Sequence, residues 1–218
     1  MSKNEQMHSF TRPSTGPGSL VQGAYGTRGN LELVVADASD GLWVHWLNAD
    51  PEAVGDVAPG AWSGGLHFAA GTRYTAAQIL QDTLGPDFLE VLALTADGVL
   101  ESWFWSPGPG FQRRDEDAAS GVADFHAMLA ADGTLAVALG AGAGVASSPA
   151  AHPARTWAPV AAALPDRTPA ERELAAAGVA DVAPGSARAA TSTRDGGTRE
   201  LTWRDGAGIL HHLAVPLR

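Results

Sequence analysis

The sequence predicts an all-β fold assembled from repeated antiparallel units, and three observations predict it. First, the stretch GNLELVVADASDGLWVHW (29–46) has a second copy, FLEVLALTADGVLESWFW (88–105). Gln22 and Gly26 fall over Gln81 and Gly85 at an offset of 59, Leu31 and Glu32 over Leu89 and Glu90 at 58, and Gly41 and Trp46 over Gly98 and Trp103 at 57. A period of this size marks arrays in which each repeat is one supersecondary element, and the drift in offset reads as loop deletions. Second, apolar, β-branched and aromatic runs are bounded by Asp-Gly turns, the signature of strand, tight turn, strand. Third, LELVVAD and LEVLALTAD are apolar on both faces, as strands are in a sheet sandwiched between neighbours. Propeller blades stack in that manner, so the expected architecture is a β-propeller of four to five blades.

Taken in order, SLVQ opens the first unit, LELVVA and LWVHWL form its hairpin, and GAWSGGLHFAAG (60–71) supplies a Trp-bearing outer strand. The second unit repeats this with QILQ, the 88–105 hairpin and GFQRRDEDAAS, where Phe111 stands for Trp62. Downstream, FHAMLAADGTLAVAL (125–139) and RTWAPVAAAL (155–164) make a third, degenerate unit; ARAATSTRDGGTRELTW and DGAGILHHLAVPL make a further one. Between them TPAERELAAAG (168–178) predicts one short helical insertion, with Thr168 as N-cap, Pro169 at N1, Glu171 completing a capping box and Gly178 as the stop. Residues 1–16 carry little apolar content and are expected to be a disordered tail, leaving 17–218 as a single domain. Ring closure is expected from HLAVPL pairing near SLVQG, or from a second copy covering the open edge in a homo-oligomer.

GPGSLVQGAYGTRGNLELVVAD followed by GLWVHWLN resembles the repeat of bacterial tryptophan-rich β-propellers similar to fucose-binding lectins. The resemblance covers roughly 16–121. In such repeats a G-N-x-E-x-V-V strand leads to an H-x-W strand and then a Trp-bearing outer strand. The second unit departs from this at Ser102 and Phe111, and the arginine common after the H-x-W strand is Leu47 here. The resemblance implies saccharide binding at shallow sites between blades.

Composition narrows the function classes. The chain has no cysteine, which excludes thiolate metal sites and cysteine nucleophiles. A formal charge of -10 disfavours nucleic acid and anionic membrane surfaces as partners. The N-terminus has no signal-like apolar run, so cytoplasmic residence is expected, with non-classical export left open. No G-x-S-x-G, phosphate loop or metal-ligand spacing occurs, so no catalytic residue, metal or cofactor is assigned. The candidate ligand-binding residues are Glu32, His45, Trp46, Glu90 and Trp103. The tryptophans would stack on sugar rings or wedge blades together; the recurring glutamates would accept sugar hydroxyls or tie blades by hydrogen bonds. His211 and His212, adjacent on a strand, point to opposite faces, and the RRDED run (113–117) reads as a solvated loop. The expected function is a carbohydrate-binding module taking a saccharide or small polyol through Glu32, His45 and Trp46 beside the first hairpin. The alternatives are an enzyme or biosynthetic scaffold with one unique pocket, in the central channel or near the helix, and a protein-interaction platform.

Overall fold

β2 (Ser19–Gln22), β3 (Leu31–Ala36), β4 (Leu42–Leu47) and β5 (Leu66–Phe68) form blade 1 of the computed structural model, which describes residues 6–50, 56–148 and 153–217. Blade 2 is β6 (Tyr74–Gln81), β7 (Leu89–Thr95), β8 (Leu100–Ser106) and β9 (Gly110–Arg113). Blade 3 is β10 (His126–Leu129), β11 (Leu135–Gly140), β12 (Ala143–Ser147) and β13 (Ala158–Ala161). Blade 4 takes β14 (Arg188–Ser192), β15 (Thr198–Arg204) and β16 (Ile209–Pro216) from the C-terminal end, and its fourth strand is β1 (Gln6–Pro13). All pairings are antiparallel. Residues of all four inner strands, β2, β6, β10 and β14, line one central cavity. The molecule is therefore a four-bladed β-propeller.

Two expectations about the ends are corrected by β1. The tail expected to be disordered over 1–16 contains a strand: Gln6, Met7, His8 and Ser9 pair with Ala214, Leu213, His212 and His211. Phe10, buried among Leu33, Val35 and Leu210, anchors it between blades 4 and 1. Closure therefore runs through HLAVPL pairing with β1, while SLVQ is an inner strand that lies side by side with β14. The physical reason is that the free edge of β16 faces outward, where an inner strand cannot reach.

Every residue of β3 is buried, and β7 is buried from Leu89 to Leu94, as expected of strands covered on both faces. A layer of side chains fills each of the two seams of blade 2. Val34, Ala36 and Val44 meet Tyr74, Ala77, Ile79 and Val91 between blades 1 and 2. Leu92, Leu94 and Leu100 meet Phe125, Ala127, Leu135 and Val137 between blades 2 and 3. On the face of blade 4 away from blade 1, the helix α1 (Thr168–Ala176) packs Ala170 and Leu174 onto Leu201, Trp203 and Leu213. The capping box expected for α1 does not form. Arg167 is the N-cap without a side-chain bond, Asp166 accepts the Thr168 amide at 2.9 Å, and Glu171 instead accepts the Gly185 amide at 3.1 Å.

The recurring glutamines are staples between blades. Gln22 at the end of β2 exchanges hydrogen bonds with Thr193 of blade 4, and Gln81 at the end of β6 accepts the Ala24 amide of blade 1 at 2.7 Å. Each reaches back to the loop of the preceding blade.

Register corrects the alignment of the two hairpins. Ala36 pairs with Leu42 across residues 37–41, and Leu94 pairs with Leu100 across 95–99, so both connections have five residues and the offset stays at 58. Only the turn glycine moves, from the fifth position (Gly41, φ 70°) to the fourth (Gly98, φ 80°). Glu32 lies opposite Trp46 and Glu90 opposite Phe104. Trp46 therefore corresponds to Phe104, and Trp103 to His45. A slip of one residue exchanges the faces of a sheet, so Trp46 and Trp103, aligned by sequence, point to opposite sides of their blades.

Candidate functional site

The five candidate residues do not converge. Paired residues across a ladder share a face, and successive residues alternate. Glu32 and Trp46 thus face blade 2, while His45, opposite Leu33, faces the other way, toward blade 4. There its ring lies 4.9 Å from Phe10, and its Nδ1 is 3.4 Å from the Ser63 carbonyl. Burial, with smaller contributions from Arg12 and His8, holds the imidazole below its ordinary pKa. Gly65 makes room for it: with φ 88°, a Cβ at that position would meet His45 Cε1 at 2.5 Å. The grouping of His45 with Glu32 and Trp46 is accordingly corrected by the alternation of β4.

Trp103 packs into the layer between blades 1 and 2, edge-on to Phe68, and donates its Nε1 to Glu101 at 3.1 Å. Glu101 also accepts the Tyr74 hydroxyl at 2.6 Å and pairs with Arg113 at 3.1 Å.

Glu90 faces blade 3 and is wholly buried. Arg114 grips it with two nitrogens at 2.6 and 2.8 Å, and Arg155 of blade 3 adds bonds at 2.9 and 3.1 Å. Burial raises the Glu90 carboxyl above its ordinary range, opposed by the two guanidinium groups. Both arginines escaped the sequence reading. RRDED looks like a solvated run, yet Arg114 is 4% exposed; the signal was its position three residues beyond Phe111 in the outer strand. Arg155 stands two residues before Trp157 at the matching place in blade 3.

Glu200 occupies the same position in blade 4, four residues before the end of β15 as Glu32 is before Ala36; blade 3 has Ala136 there. Glu200 accepts hydrogen bonds from Ser192 at 2.8 Å, from Thr198, and from His212 Nε2 at 2.7 Å. Burial alone would raise its pKa, but these bonds outweigh it and lower the pKa. His211, on the opposite face, contacts Asp205 and Ser9 instead.

Glu32 is the exception. It is 8% exposed, and among the described residues no hydrogen bond or ion pair holds its carboxyl. Burial, the sole cause acting on it, pushes its pKa up to about 8. The partners of Glu90 have no counterparts here: Leu66, opposite Val44, stands where Arg114 lies opposite Ser102 in blade 2, and two residues before Phe111 is Pro109. Trp46, half-buried, shares the face, and Trp105 and Phe111 of blade 2 border the same seam. The arrangement offers a neutral carboxylic acid, able to donate and accept, beside an aromatic ring. Among the described residues no group of three or more His, Asp or Glu side chains is placed to hold a metal ion.

In class, then, the molecule is a four-bladed β-propeller whose seams carry a repeated acidic position, satisfied in two blades and open in one. The fold is similar to that of the BP39L lectin from Burkholderia pseudomallei, at 17% identity and a TM-score of 0.46 over 93% of this chain and 55% of that one. The chain thus spans about half the length of that lectin. No family model matches the sequence, and no curated protein matches it.

Proposed function

We propose that the chain is a carbohydrate-binding module that takes a neutral saccharide or similar polyol at the seam between blades 1 and 2, through Glu32 and Trp46. One observation carries this reading: among the described residues the carboxyl of the buried Glu32 has no partner, whereas its twin Glu90 is held by two arginines. The Glu32 oxygens keep contact with solvent, so a ligand hydroxyl can take the place of water on a carboxyl that no described side chain holds. The Trp46 ring gives the C–H face of a sugar a surface to stack on. With a carboxyl pKa of about 8 the acid is protonated at neutral pH, so the site has no charge and selects a neutral ligand. Shallow contact of this kind gives a millimolar dissociation constant, about 4 kcal/mol.

Titration calorimetry with neutral monosaccharides, guided by a glycan array, tests it. Glu32→Leu should weaken binding at least tenfold, while Glu32→Gln, which keeps a donor and an acceptor, should bind nearly as the parent does. Affinity should fall as pH rises through about 8, where the donor proton is lost. A parent that binds nothing, or a Glu32→Leu variant that binds unchanged, overturns the reading.

A further inference from the structure

The central cavity, about 140 Å³, has room for several waters or one small organic molecule. Its wall is largely apolar: Leu20 and Val21 of β2, Ala76, Ile79 and Leu80 of β6, and Ala189 of β14 among others. Two guanidinium groups, Arg167 and Arg188, stand in this wall beside His126. They are not in the same condition. Arg167 is neutralised by a two-pronged pair with Asp124, at 2.7 and 3.0 Å, and also donates to the Phe125 carbonyl at 2.9 Å.

Arg188 has no carboxylate partner among the described residues. Its Nη1 donates to the Gly185 and Ala187 carbonyls, each at 2.7 Å, which uses both hydrogens of that nitrogen. The Nε and Nη2 hydrogens remain, and these form the edge of the guanidinium that fits a carboxylate with two parallel bonds. Asp124 and Glu200 also line the cavity, and they and nearby Glu171 are engaged elsewhere: Asp124 by Arg167, Glu171 through the Gly185 amide, and Glu200 by Ser192, Thr198 and His212. Burial and the adjacent Arg167 charge lower the Arg188 pKa to about 10, so it stays charged at neutral pH and its charge is under repulsion. His126 is held below its ordinary pKa by burial and by both arginines, and so adds a neutral imidazole to the wall.

We propose that the central cavity is a binding site for a small organic carboxylate with a short aliphatic tail, its carboxylate on the free edge of Arg188 and its tail against Leu20, Val21, Ile79 and Leu80. The apolar wall favours this class over inorganic phosphate, which would leave that surface uncovered and its own oxygens unsatisfied. The site is separate from the seam at Glu32, and neither proposal needs the other.

Butyrate is the probe, titrated calorimetrically into the intact chain, with butyramide and inorganic phosphate as comparisons. Butyrate should bind, butyramide should bind at least tenfold more weakly because it lacks the charge, and phosphate should be weaker than butyrate. Arg188→Gln should weaken butyrate at least tenfold, and Glu32→Leu should leave it unchanged. The butyramide comparison uses only the parent protein, so it decides the matter even if Arg188→Gln fails to fold. Absence of butyrate binding, equal affinity for butyramide, tighter binding of phosphate, or indifference to Arg188→Gln in a folded variant overturns the proposal.

Discussion

Glu32 and Glu90 occupy one position in two copies of one hairpin, and their surroundings are opposite. In the seam between blades 2 and 3 the carboxylate is wholly buried and clamped by Arg114 and Arg155; in the seam between blades 1 and 2 it is nearly buried and no described residue holds it. The backbone is the same in both, to the length of the turn. The difference lies in two residues outside the hairpin, Leu66 against Arg114 and Pro109 against Arg155. A repeat therefore preserves the place of a polar group without preserving its role, because the role is decided by what the outer strands bring to it.

Breaking the clamped seam has the largest expected effect. Glu90→Gln leaves two buried guanidinium groups without their counter-charge and should cost about 3–5 kcal/mol in urea unfolding at neutral pH. A loss under about 1 kcal/mol would show that the two arginines are satisfied by carbonyls alone.

The open seam responds to pH instead. The folded pKa of Glu32, about 8, lies above its ordinary value of 4.5, so the folded chain keeps a proton that the unfolded chain releases. Stability from this group is complete below about pH 4.5 and is lost as pH rises to about 8, at roughly 1 kcal/mol per pH unit. Glu32→Gln should abolish that slope, so that the variant is about 3–5 kcal/mol more stable than the parent at pH 9. Unfolding curves at pH 5, 7 and 9 measure it, and parallel behaviour of the two proteins would count against an unpartnered carboxyl.

Converting one seam toward the other sharpens the comparison. Pro109→Arg restores the cation that blade 3 supplies to Glu90, and should lower the Glu32 titration midpoint by about one unit. NMR titration of the Glu32 carboxyl carbon reads this directly. It should also weaken saccharide binding by making the site anionic and occupied. The smallest effect belongs to the staples: Gln22→Ala removes exposed hydrogen bonds to Thr193 and should cost about 0.5–1 kcal/mol, without changing either glutamate's titration.

The blades were legible because Asp-Gly turns and two-sided apolar strands are local signals. Less was legible wherever a residue's partner comes from far along the chain. Gln6–Pro13 alternates weakly and buries little besides Phe10, so nothing local marks it as a strand; its partners lie about two hundred residues away. Arg114 sits in a charged run whose neighbours are solvated, and only Glu90, from another strand, draws it inward. The pairing of Trp46 with Trp103 failed because a glycine moved within a turn of fixed length, and the glycine was the landmark. Glu32 was found by its recurrence, but its lack of a partner is a property of three separate segments and appears only when they are brought together.

The place of β1 has a consequence in time. A ribosome adding about 5–20 residues per second makes β16 on the order of ten seconds after β1. Throughout that interval the strand has no sheet to join, while blades 1 to 3 emerge complete beside it. A hydrophobic strand waiting so long with bare amide groups would be a hazard for mispairing. QMHSFTRP, with His8, Ser9, Thr11 and Arg12 around one buried phenylalanine, can wait in water. The polar composition that hides this strand from a reader of the sequence also hides it from the wrong partners until the last blade arrives.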